Sequence, residues 1–327
     1  MPSRLKADAL KIFHAAVQAS DPAQGVERHL RIQAGAGRVF VIGAGKAGAN
    51  MAQAAERKLG PSRIESGCVN VKYGHVPAGK RGKPRRIEIC ECGHPIPDGN
   101  GLRGAERIAA IAESADKGDL VVCLISGGAS ALMPAPAPPI TLKDTQRITQ
   151  LLLRAGANIH EMNCVRKHIS RLKGGQLARL AYPAKVLALI LSDVIGDDLD
   201  VIGSGPTVAD PSTFHDAEAI LKRRGVWRDA PAAVRGRIES GVKGSIPETP
   251  KPGDPIFSRV ENVIVGSNRQ ALHAAARTAR SIGYRASILS SFIEGEAREV
   301  ARVHAAIAKE LATKKKRKPT CIISGGE

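Results

Sequence analysis

Strands and helices alternate along this chain of 327 residues, and glycine-rich turns join several strands to the next helix. A short β-rich run, Val39–Ile42, is followed by the turn Gly43–Gly48 and by a helical pattern that ends near Leu59. A second apolar strand, Leu120–Ile125, is followed by the turn Ser126–Ser130. Such alternation predicts a parallel sheet with helices on both faces. The predicted fold is therefore α/β and Rossmann-like.

A proline-rich segment separates two parts of the chain that show this alternation. Four prolines fall between residues 245 and 255, which is typical of a connector. We expect a Rossmann-like domain over residues 1–244, a connector over 245–260 and the start of a second α/β lobe over 261–327. A parallel strand normally needs a covering helix. Because the final strand runs into Gly325-Gly326-Glu327 at the end of the sequence, we expect the second lobe to be incomplete.

Basic residues outnumber acidic ones by 49 to 31, which gives a net charge of +18. They are spread along the chain, and one Trp, three Tyr and five Phe offer few surfaces for base stacking, so specific nucleic-acid binding is not expected. A positive field favours a small anionic ligand instead. Since the sequence shows neither an apolar run of membrane-spanning length nor a signal peptide, we expect a cytoplasmic protein without a membrane partner. The oligomeric state stays open, with a homodimer as the candidate assembly.

The first glycine-rich turn has the spacing G-x-G-x-x-G between a strand and a helix. Gly43, Gly45 and Gly48 allow a tight turn and a close approach of the backbone to phosphate, and the N-terminus of a helix attracts anions. We therefore predict that these glycines bind a nucleotide or a phosphate group. Lys46 lies inside the turn, where its ammonium group can reach a phosphate or a carboxylate. The alternative for Lys46 is an exposed side chain at the helix start.

A nicotinamide dinucleotide is another ligand that this turn would suit. Such a site also needs an acidic residue about 20 residues further on, at the end of the second strand. That strand, Gly67–Val71, is followed by Lys72, and no acid is present there. Because Lys72 would suit the additional phosphate of NADP, a reductase stays open as an alternative.

The second glycine-rich turn also joins a strand to a helix start. Consecutive backbone N–H groups together with serine hydroxyl groups form nests that bind anions. We therefore predict phosphate or nucleotide contacts from Ser126, Gly127, Gly128 and Ser130. A plain tight turn is the alternative.

A basic segment follows over residues 163–175, and it contains Arg166, Lys167, His168, Arg171 and Lys173. The sequence predicts a helix over 159–171. At helical spacing, residues 166, 170 and 173 share one face and residues 163 and 167 share another. Its position just before Gly174-Gly175 favours an anion site, with Arg166 and Lys167 as the candidate substrate-binding residues. A solvated charged face is the alternative.

Three acidic residues follow the buried strand Lys185–Leu191, namely Asp193, Asp197 and Asp198. Open α/β sheets bind ligands at the carboxyl ends of their strands. Asp193 and Asp197 are therefore candidate ligands of Mg²⁺, with phosphate oxygens completing the coordination. Asp193 is also a candidate for orienting a hydroxyl nucleophile. Helix capping or solvation of the loop is the alternative.

A rigid loop, Gly93-His94-Pro95-Ile96-Pro97-Asp98, follows another predicted strand. Its prolines restrict the backbone, and Asp98 is expected to cap the next helix.

Seven segments of the chain, taken in order, resemble the glycerate 2-kinase family whose members carry a C-terminal MOFRL domain and of which some are called hydroxypyruvate reductases. They are VIGAGKAGANMA (41–52), GHPIPDGNG (93–101), LISGGASALMPAP (124–136), NCVRKHISRLKGGQLA (163–178), LSDVIGDDLDVIGSGPTVADPST (191–213), VGSN (265–268) and ISGGE (323–327). The resemblance implies transfer of the γ-phosphoryl group of ATP to the 2-hydroxyl group of D-glycerate, with Mg²⁺. It also implies that Lys46 is an active-site residue.

The sequence departs from that family in one large way, at its C-terminal end. In the family, ISGGE opens the MOFRL region, which continues well beyond this point, so we expect this chain to lack most of that domain. The activity of the chain on its own is then an open question. An NAD(P)-dependent hydroxypyruvate reductase and an inactive nucleotide-binding remnant are the alternatives to a glycerate kinase.

Overall fold

The computed structural model describes residues 2–32, 35, 37–76, 84–313 and 318–327. The helices in these ranges are α1 Pro2–Ala19, α2 Pro22–His29, α3 Gly48–Leu59, α4 Gly99–Glu113, α5 Ala129–Leu132, α6 Leu142–Arg154, α7 Ile159–His168, α8 Gln176–Ala181, α9 Phe214–Arg223, α10 Ala232–Val242, α11 Asn268–Ser281 and α12 Ala297–Thr313. The strands are β1 Val39–Ala44, β2 Ile64–Lys72, β3 Ile87–Cys92, β4 Leu120–Ile125, β5 Lys185–Leu191, β6 Val260–Gly266, β7 Arg285–Ile293 and β8 Thr320–Gly326. None of these helices combines the length and the apolar character needed to cross a membrane.

Six strands form one sheet in the order β3-β2-β1-β4-β5-β6. The pairs β1–β2, β1–β4, β2–β3 and β4–β5 are all parallel. This is the strand order of dinucleotide-binding α/β folds, in which the order reverses between β1 and β4. The prediction of a Rossmann-like α/β fold is therefore confirmed.

The two central strands, β1 and β4, are apolar throughout because both of their faces are covered. All six residues of each strand are buried. A strand that meets no solvent has no use for alternating polar side chains, so it is built from a continuous apolar run. Helix α3 contributes Met51, Ala52 and Ala55 to the core beside these strands.

The larger of two compact units comprises residues 26–190 and 199–263. It contains β1 to β4 and nearly all of β5. A second apolar core lies among α6, α7, α9 and α10, where Leu152, Val165 and Phe214 are each at most 1% exposed. This helical core holds α7 firmly in place, which matters because α7 carries several of the predicted site residues.

The smaller unit comprises residues 1–25, 191–198 and 264–327. Within it, α1 packs against α11, and the parallel pair β7–β8 lies beside α11. Both units are discontinuous in sequence, whereas the predicted domains are continuous ranges. The predicted division into 1–244, 245–260 and 261–327 stays a prediction.

Candidate active site

The two glycine-rich turns lie side by side at the point where the strand order reverses. In the register of β1 and β4, Ala44 pairs with Ile125, so both turns leave the same edge of the sheet. The N–H group of Lys46 donates a 2.9 Å hydrogen bond to the carbonyl oxygen of Gly127. Open α/β sheets bind their ligands at such a reversal point, which makes this edge the candidate active site.

The glycines of the first turn are required for close packing of the backbone. Gly43 lies inside β1, where a Cβ atom would overlap the carbonyl oxygen of Leu124. Gly45 has a φ of +144°, and a Cβ atom there would overlap the hydroxyl oxygen of Ser126. At Gly48, the first residue of α3, a Cβ atom would lie 2.8 Å from the side chain of Val69. These contacts explain the three glycines structurally, and their predicted phosphate contacts stay predictions.

Ser126 joins the second turn to the first. Its side chain is 1% exposed, and its hydroxyl oxygen accepts a 3.1 Å hydrogen bond from the N–H group of Ala47. Ser126 thereby satisfies the N–H group of the N-cap residue of α3. Helix α3 begins with no side-chain cap from its own N-cap residue and no acid in its first turn, so its positive dipole end is not offset locally.

Lys46 is exposed and reaches towards the second turn. A Cβ atom at Gly128 would lie 3.5 Å from Cε of Lys46 and 2.9 Å from Nε2 of His94. Among the described residues, the ammonium group of Lys46 has no ion-pair partner. The structure therefore brings Lys46, Gly128 and His94 together, with the charge of Lys46 available to a ligand.

A cavity of about 240 Å³ opens beside the second turn, entirely within the larger unit. Its wall contains several prolines and alanines together with polar residues from four parts of the chain. Its polar and charged residues include His94, Ser130, Arg166, Ser170 and Lys173. Gly128, which lies next to Lys46, also lines the cavity. Three predicted site residues, Gly128, Ser130 and Arg166, therefore line one cavity.

Lys173 is the most deeply buried charged group of this cavity, with 5% of the residue exposed. Its Nζ atom donates hydrogen bonds to the carbonyl oxygens of Ser130, at 2.9 Å, and Met133, at 3.0 Å. Burial, with a smaller contribution from the charge of Arg166, lowers the pKa of Lys173 to about 7. Burial also lowers the pKa of Arg166.

A short chain of hydrogen bonds connects the cavity to the loop that follows β5. The hydroxyl groups of Ser130 and Ser204 lie 2.9 Å apart, and Ser204 donates a 2.9 Å hydrogen bond to Oδ1 of Asn163. A hydroxyl group has only one proton to donate. Ser130 must therefore be the donor to Ser204, and its own lone pairs remain available as acceptors.

Lys167 follows Arg166 in the sequence but contacts a different set of residues. Its Nζ atom lies 3.2 Å from Oδ2 of Asp200 and 3.3 Å from Oδ1 of Asp210. Asp210 is fully buried and also accepts hydrogen bonds from the hydroxyl groups of Ser212 and Thr249. Lys167 is absent from the residues that line the cavity. Its predicted contact with substrate stays a prediction, and the contacts that the structure shows are structural.

His168 is fully buried and lies beside these residues. Its Nε2 atom lies 3.2 Å from Oε2 of Glu248, and its Nδ1 atom lies 2.8 Å from the carbonyl oxygen of Cys164. Burial opposes ionisation of Glu248, but hydrogen bonds from His168 and from the N–H group of Phe214 hold its pKa down at about 2. We call Lys167, His168, Asp200, Asp210 and Glu248 the ion-pair cluster.

The predicted helix over 159–171 is too long. Helix α7 ends at His168, and Ser170 forms an isolated bridge with Pro136. Residues 166, 170 and 173 nevertheless line the same cavity. They do so because the chain turns back after α7, where the hydroxyl oxygen of Ser170 accepts hydrogen bonds from the N–H groups of Leu172 and Lys173.

The predicted metal ligands Asp193 and Asp197 lie in the smaller unit. Asp193 is exposed, and Asp197 has a positive φ of 62°. Neither carboxylate has a hydrogen-bond or ion-pair partner in the part of the chain that the structure describes. The described residues contain no group of three or more His, Cys, Asp or Glu side chains arranged to hold a metal ion.

Comparison with known proteins identifies the family. The model of a domain of unknown function, DUF4147, matches residues 8–239. Glycerate 2-kinase of Pyrococcus horikoshii is 41% identical over 98% of this chain and 70% of its own length. A putative hydroxypyruvate reductase of Agrobacterium vitis is 46% identical over 97% of this chain and 69% of its own length. A crystal structure of glycerate kinase from Thermotoga maritima superposes with a TM-score of 0.87 at 36% identity, covering 100% of this chain and 75% of that one.

The chain belongs to the glycerate kinase family. Kinases are phosphotransferases, so the enzyme class predicted from the sequence is confirmed. The presence of a MOFRL domain and its truncation stay predictions.

His94 and Lys173, which line the cavity of this glycerate kinase family member, were not among the predicted site residues. Both belong to segments that carry the family resemblance, GHPIPDGNG and NCVRKHISRLKGGQLA. The motif positions were therefore a usable signal for His94, and the basic run was one for Lys173. Asp98 does cap α4 as expected, since its side chain accepts a 2.9 Å hydrogen bond from the N–H group of Gly101.

Proposed function

We propose that this chain transfers the γ-phosphoryl group of ATP to the 2-hydroxyl group of D-glycerate and forms 2-phosphoglycerate. One observation carries the proposal. In a member of the glycerate kinase family, two hydrogen-bonded glycine turns place Lys46 next to a cavity that contains two cations without acidic partners. Phosphoryl transfer depends chiefly on positioning and on neutralising charge, and these groups supply both.

The turns and Lys46 receive the phosphate groups in this proposal. Gly43–Gly48 and Ser126–Ser130 offer backbone N–H groups and the uncompensated dipole end of α3. Lys46 neutralises charge on the transferring phosphoryl group, since its ammonium group is exposed and unpaired among the described side chains. The cavity beside Gly128 holds the acceptor acid.

Mg²⁺ fits the acidic residues that follow β5. Mg²⁺ keeps several waters and binds through one or two carboxylates together with phosphate oxygens, so the two unpaired carboxylates of Asp193 and Asp197 are a suitable donor set. When bound, the ion would offset negative charge on the phosphate groups. The role of Asp193 in orienting a hydroxyl nucleophile stays a prediction.

The end of β2 favours a kinase over a dinucleotide-dependent reductase. Asn70 is fully buried there, and its amide group donates hydrogen bonds to the carbonyl oxygens of Gly101, at 3.0 Å, and Leu132, at 2.7 Å. The strand then ends at Lys72. Among the described residues of β2, therefore, the end of the strand supplies no acid for the ribose of a nicotinamide dinucleotide.

The test is an assay of the chain with ATP, Mg²⁺ and D-glycerate, in which 2-phosphoglycerate is identified by ³¹P NMR. Lys46→Met is expected to lower kcat by roughly 100-fold or more, because it removes a charge that stabilises the transferring group. Lys58→Met, an exposed change in the last turn of α3, the helix that follows Lys46, is the matched control. Absence of 2-phosphoglycerate, or oxidation of NAD(P)H with hydroxypyruvate in a parallel assay, would overturn the proposal.

A further inference from the structure

Two positive charges share the cavity without an acidic partner. In the described part of the chain, the guanidinium group of Arg166 has no hydrogen-bond acceptor, and Lys173 contacts only neutral carbonyl oxygens. The two side chains are close enough for the charge of Arg166 to act on Lys173. Neighbouring cations that are shielded from water repel each other. An anion bound between them would remove that cost, so the cavity is built for a negatively charged group.

Both cations keep N–H donors without a partner among the described residues. An ammonium group has three N–H donors, and Lys173 uses two of them on the carbonyl oxygens of Ser130 and Met133. The third donor is left for a ligand in the cavity that Lys173 lines. Arg166 offers the planar fork that binds a carboxylate through two parallel hydrogen bonds. One fixed donor and one fork match the two oxygens of a carboxylate.

Ser130 adds a complementary acceptor beside these donors. Its proton is given to Ser204, whose own proton is given to Asn163. The free lone pairs of Ser130 can therefore accept a hydrogen bond from a ligand hydroxyl group. A molecule with a carboxylate and a neighbouring hydroxyl group would satisfy Ser130, Arg166 and Lys173 together.

The size of the cavity restricts the ligand further. Pockets that take drug-sized ligands usually measure roughly 300–1,000 Å³, and this cavity measures about 240 Å³. Much of its wall is rigid, since Pro95, Pro97, Pro134 and Pro136 line it. A small acid fits these limits.

We propose that Arg166 and Lys173 form the carboxylate receptor of this cavity and that Ser130 accepts a hydrogen bond from a hydroxyl group of the same small hydroxy acid. The inference rests on the proposed function only in taking D-glycerate as that acid. Lys173, and not its neighbour Lys167, is then the lysine of the basic segment that determines specificity for an acid over a neutral polyol.

The test measures binding of D-glycerate and of glycerol to the full chain by calorimetry, without nucleotide. Wild type is expected to bind D-glycerate and not glycerol. Arg166→Met and Lys173→Met are each expected to weaken binding of D-glycerate by roughly 10- to 100-fold, the usual worth of a hydrogen bond to a charged group. Lys143→Met, an exposed change on α6 outside the cavity, is the matched control and should bind like wild type.

A kinetic arm separates specificity from general damage. In the phosphorylation assay, both cavity variants are expected to raise KM for D-glycerate by a similar factor while KM for ATP stays near its wild-type value. Ser130→Ala is expected to raise KM for D-glycerate by a smaller factor, because a neutral hydrogen bond contributes less than a charged one.

Lys173 also donates hydrogen bonds to two backbone carbonyl groups, so Lys173→Met changes folding stability as well as the cavity. Arg166 has no such partner to lose among the described residues, so Arg166→Met tests the cavity even if Lys173→Met unfolds. Folded Arg166→Met that binds D-glycerate as tightly as wild type overturns the inference, and so does equal binding of glycerol and D-glycerate by wild type. If wild type binds D-glycerate but forms no 2-phosphoglycerate, and both variants lose that binding, the proposed function fails and the carboxylate receptor stands.

Discussion

Arg166 and Lys167 are consecutive basic residues near the end of α7, yet they lie in opposite electrostatic surroundings. Lys167 lies beside two carboxylates, of which that of Asp210 is fully buried, and belongs to the ion-pair cluster with His168, Asp200, Asp210 and Glu248. Arg166 faces the cavity and shares it with a second cation, Lys173. In the cluster, positive and negative groups offset each other inside the protein. The cavity contains the two cations Arg166 and Lys173, and no carboxylate is among the described residues that line it.

The charged side chains of the ion-pair cluster therefore stabilise the fold, whereas the two cations of the cavity have no partner until a ligand binds. Buried ion pairs stabilise the folded chain chiefly in the sense that removing one partner leaves the other uncompensated. Two unpaired cations, by contrast, lower stability until an anion binds, which is the usual compromise at a functional site. The pattern of basic residues in the sequence is the same for both, so only the positions of the acids distinguish them.

The largest expected effect is the loss of Lys167. Lys167→Met is expected to lower the free energy of unfolding by about 3–5 kcal/mol, because it leaves the buried carboxylate of Asp210 uncompensated. Arg166→Met is expected to change it by less than about 1 kcal/mol, since no partner is left behind. Urea unfolding of both variants measures the contrast. Equal destabilisation by the two changes would show that the two sides of α7 do not differ in this way.

A second prediction concerns the other end of α7. Glu161 completes a capping box with Asn158 and accepts hydrogen bonds from Arg223 and Arg224. Glu161→Gln is expected to lower the free energy of unfolding by about 1–3 kcal/mol. Glu113→Gln breaks a pair with Arg171 that is exposed, and it should cost less than about 1 kcal/mol. A larger loss from the exposed pair in urea unfolding would contradict the expected order.

The pH dependence of stability should also report on Glu161. Hydrogen bonds from Arg224 and Arg223 lower the pKa of Glu161 from 4.5 to about 2 in the folded chain. A carboxyl group whose folded pKa is lowered contributes its full stability above its unfolded pKa and loses it as the pH falls through the folded value. The stability of wild type should therefore fall between about pH 4.5 and pH 2 more steeply than that of Glu161→Gln. Urea unfolding at several pH values measures this. If the free energy of unfolding fell equally steeply with pH in both proteins, the lowered pKa of Glu161 would be refuted.

A third prediction concerns the pH dependence of the cavity. Lys173 binds an anion best when protonated, and its pKa in the free chain is about 7. Affinity for D-glycerate should therefore be highest below pH 7 and decrease above it, by at most about tenfold per pH unit. Arg166 stays charged over this range, whereas His94 is another titratable side chain that lines the cavity.

Calorimetry at several pH values checks this dependence. His94→Gln should keep the decrease above pH 7 and Lys173→Met should lose it. The opposite result would assign the dependence to His94.

The smallest expected effect is stabilisation by the ligand itself. At ten times its Kd, D-glycerate should stabilise the folded chain by about 1.4 kcal/mol, which corresponds to a rise in Tm of about 1–3 °C. The shift should persist in Lys167→Met, whose starting Tm is lower, and should disappear in Arg166→Met. Thermal unfolding with and without D-glycerate measures it, and a shift retained in Arg166→Met would place the ligand elsewhere.

Much of the larger unit was predictable from local sequence. The apolar runs of β1 and β4 and the glycine turns after them predicted their strands and the parallel sheet, because a strand covered on both faces must be apolar. The helix over 159–171 was predicted too long because Ser170 and Lys173 continue the helical spacing of α7. The hydrogen bonds that Ser170 accepts turn the chain there, and spacing does not reveal them.

The sequence alone determined that this chain is an α/β protein of the glycerate kinase family, because apolar periodicity, glycine turns and motif order are properties of neighbouring residues. Only the tertiary structure decided which basic residues face a ligand. The roles of Arg166, Lys167 and Lys173 depend on whether Asp200 and Asp210 lie beside them, and those acids are more than 25 residues away in the sequence. Electrostatic interactions act through space and weaken with distance, so the partner of a charge is decided where the chain folds back on itself.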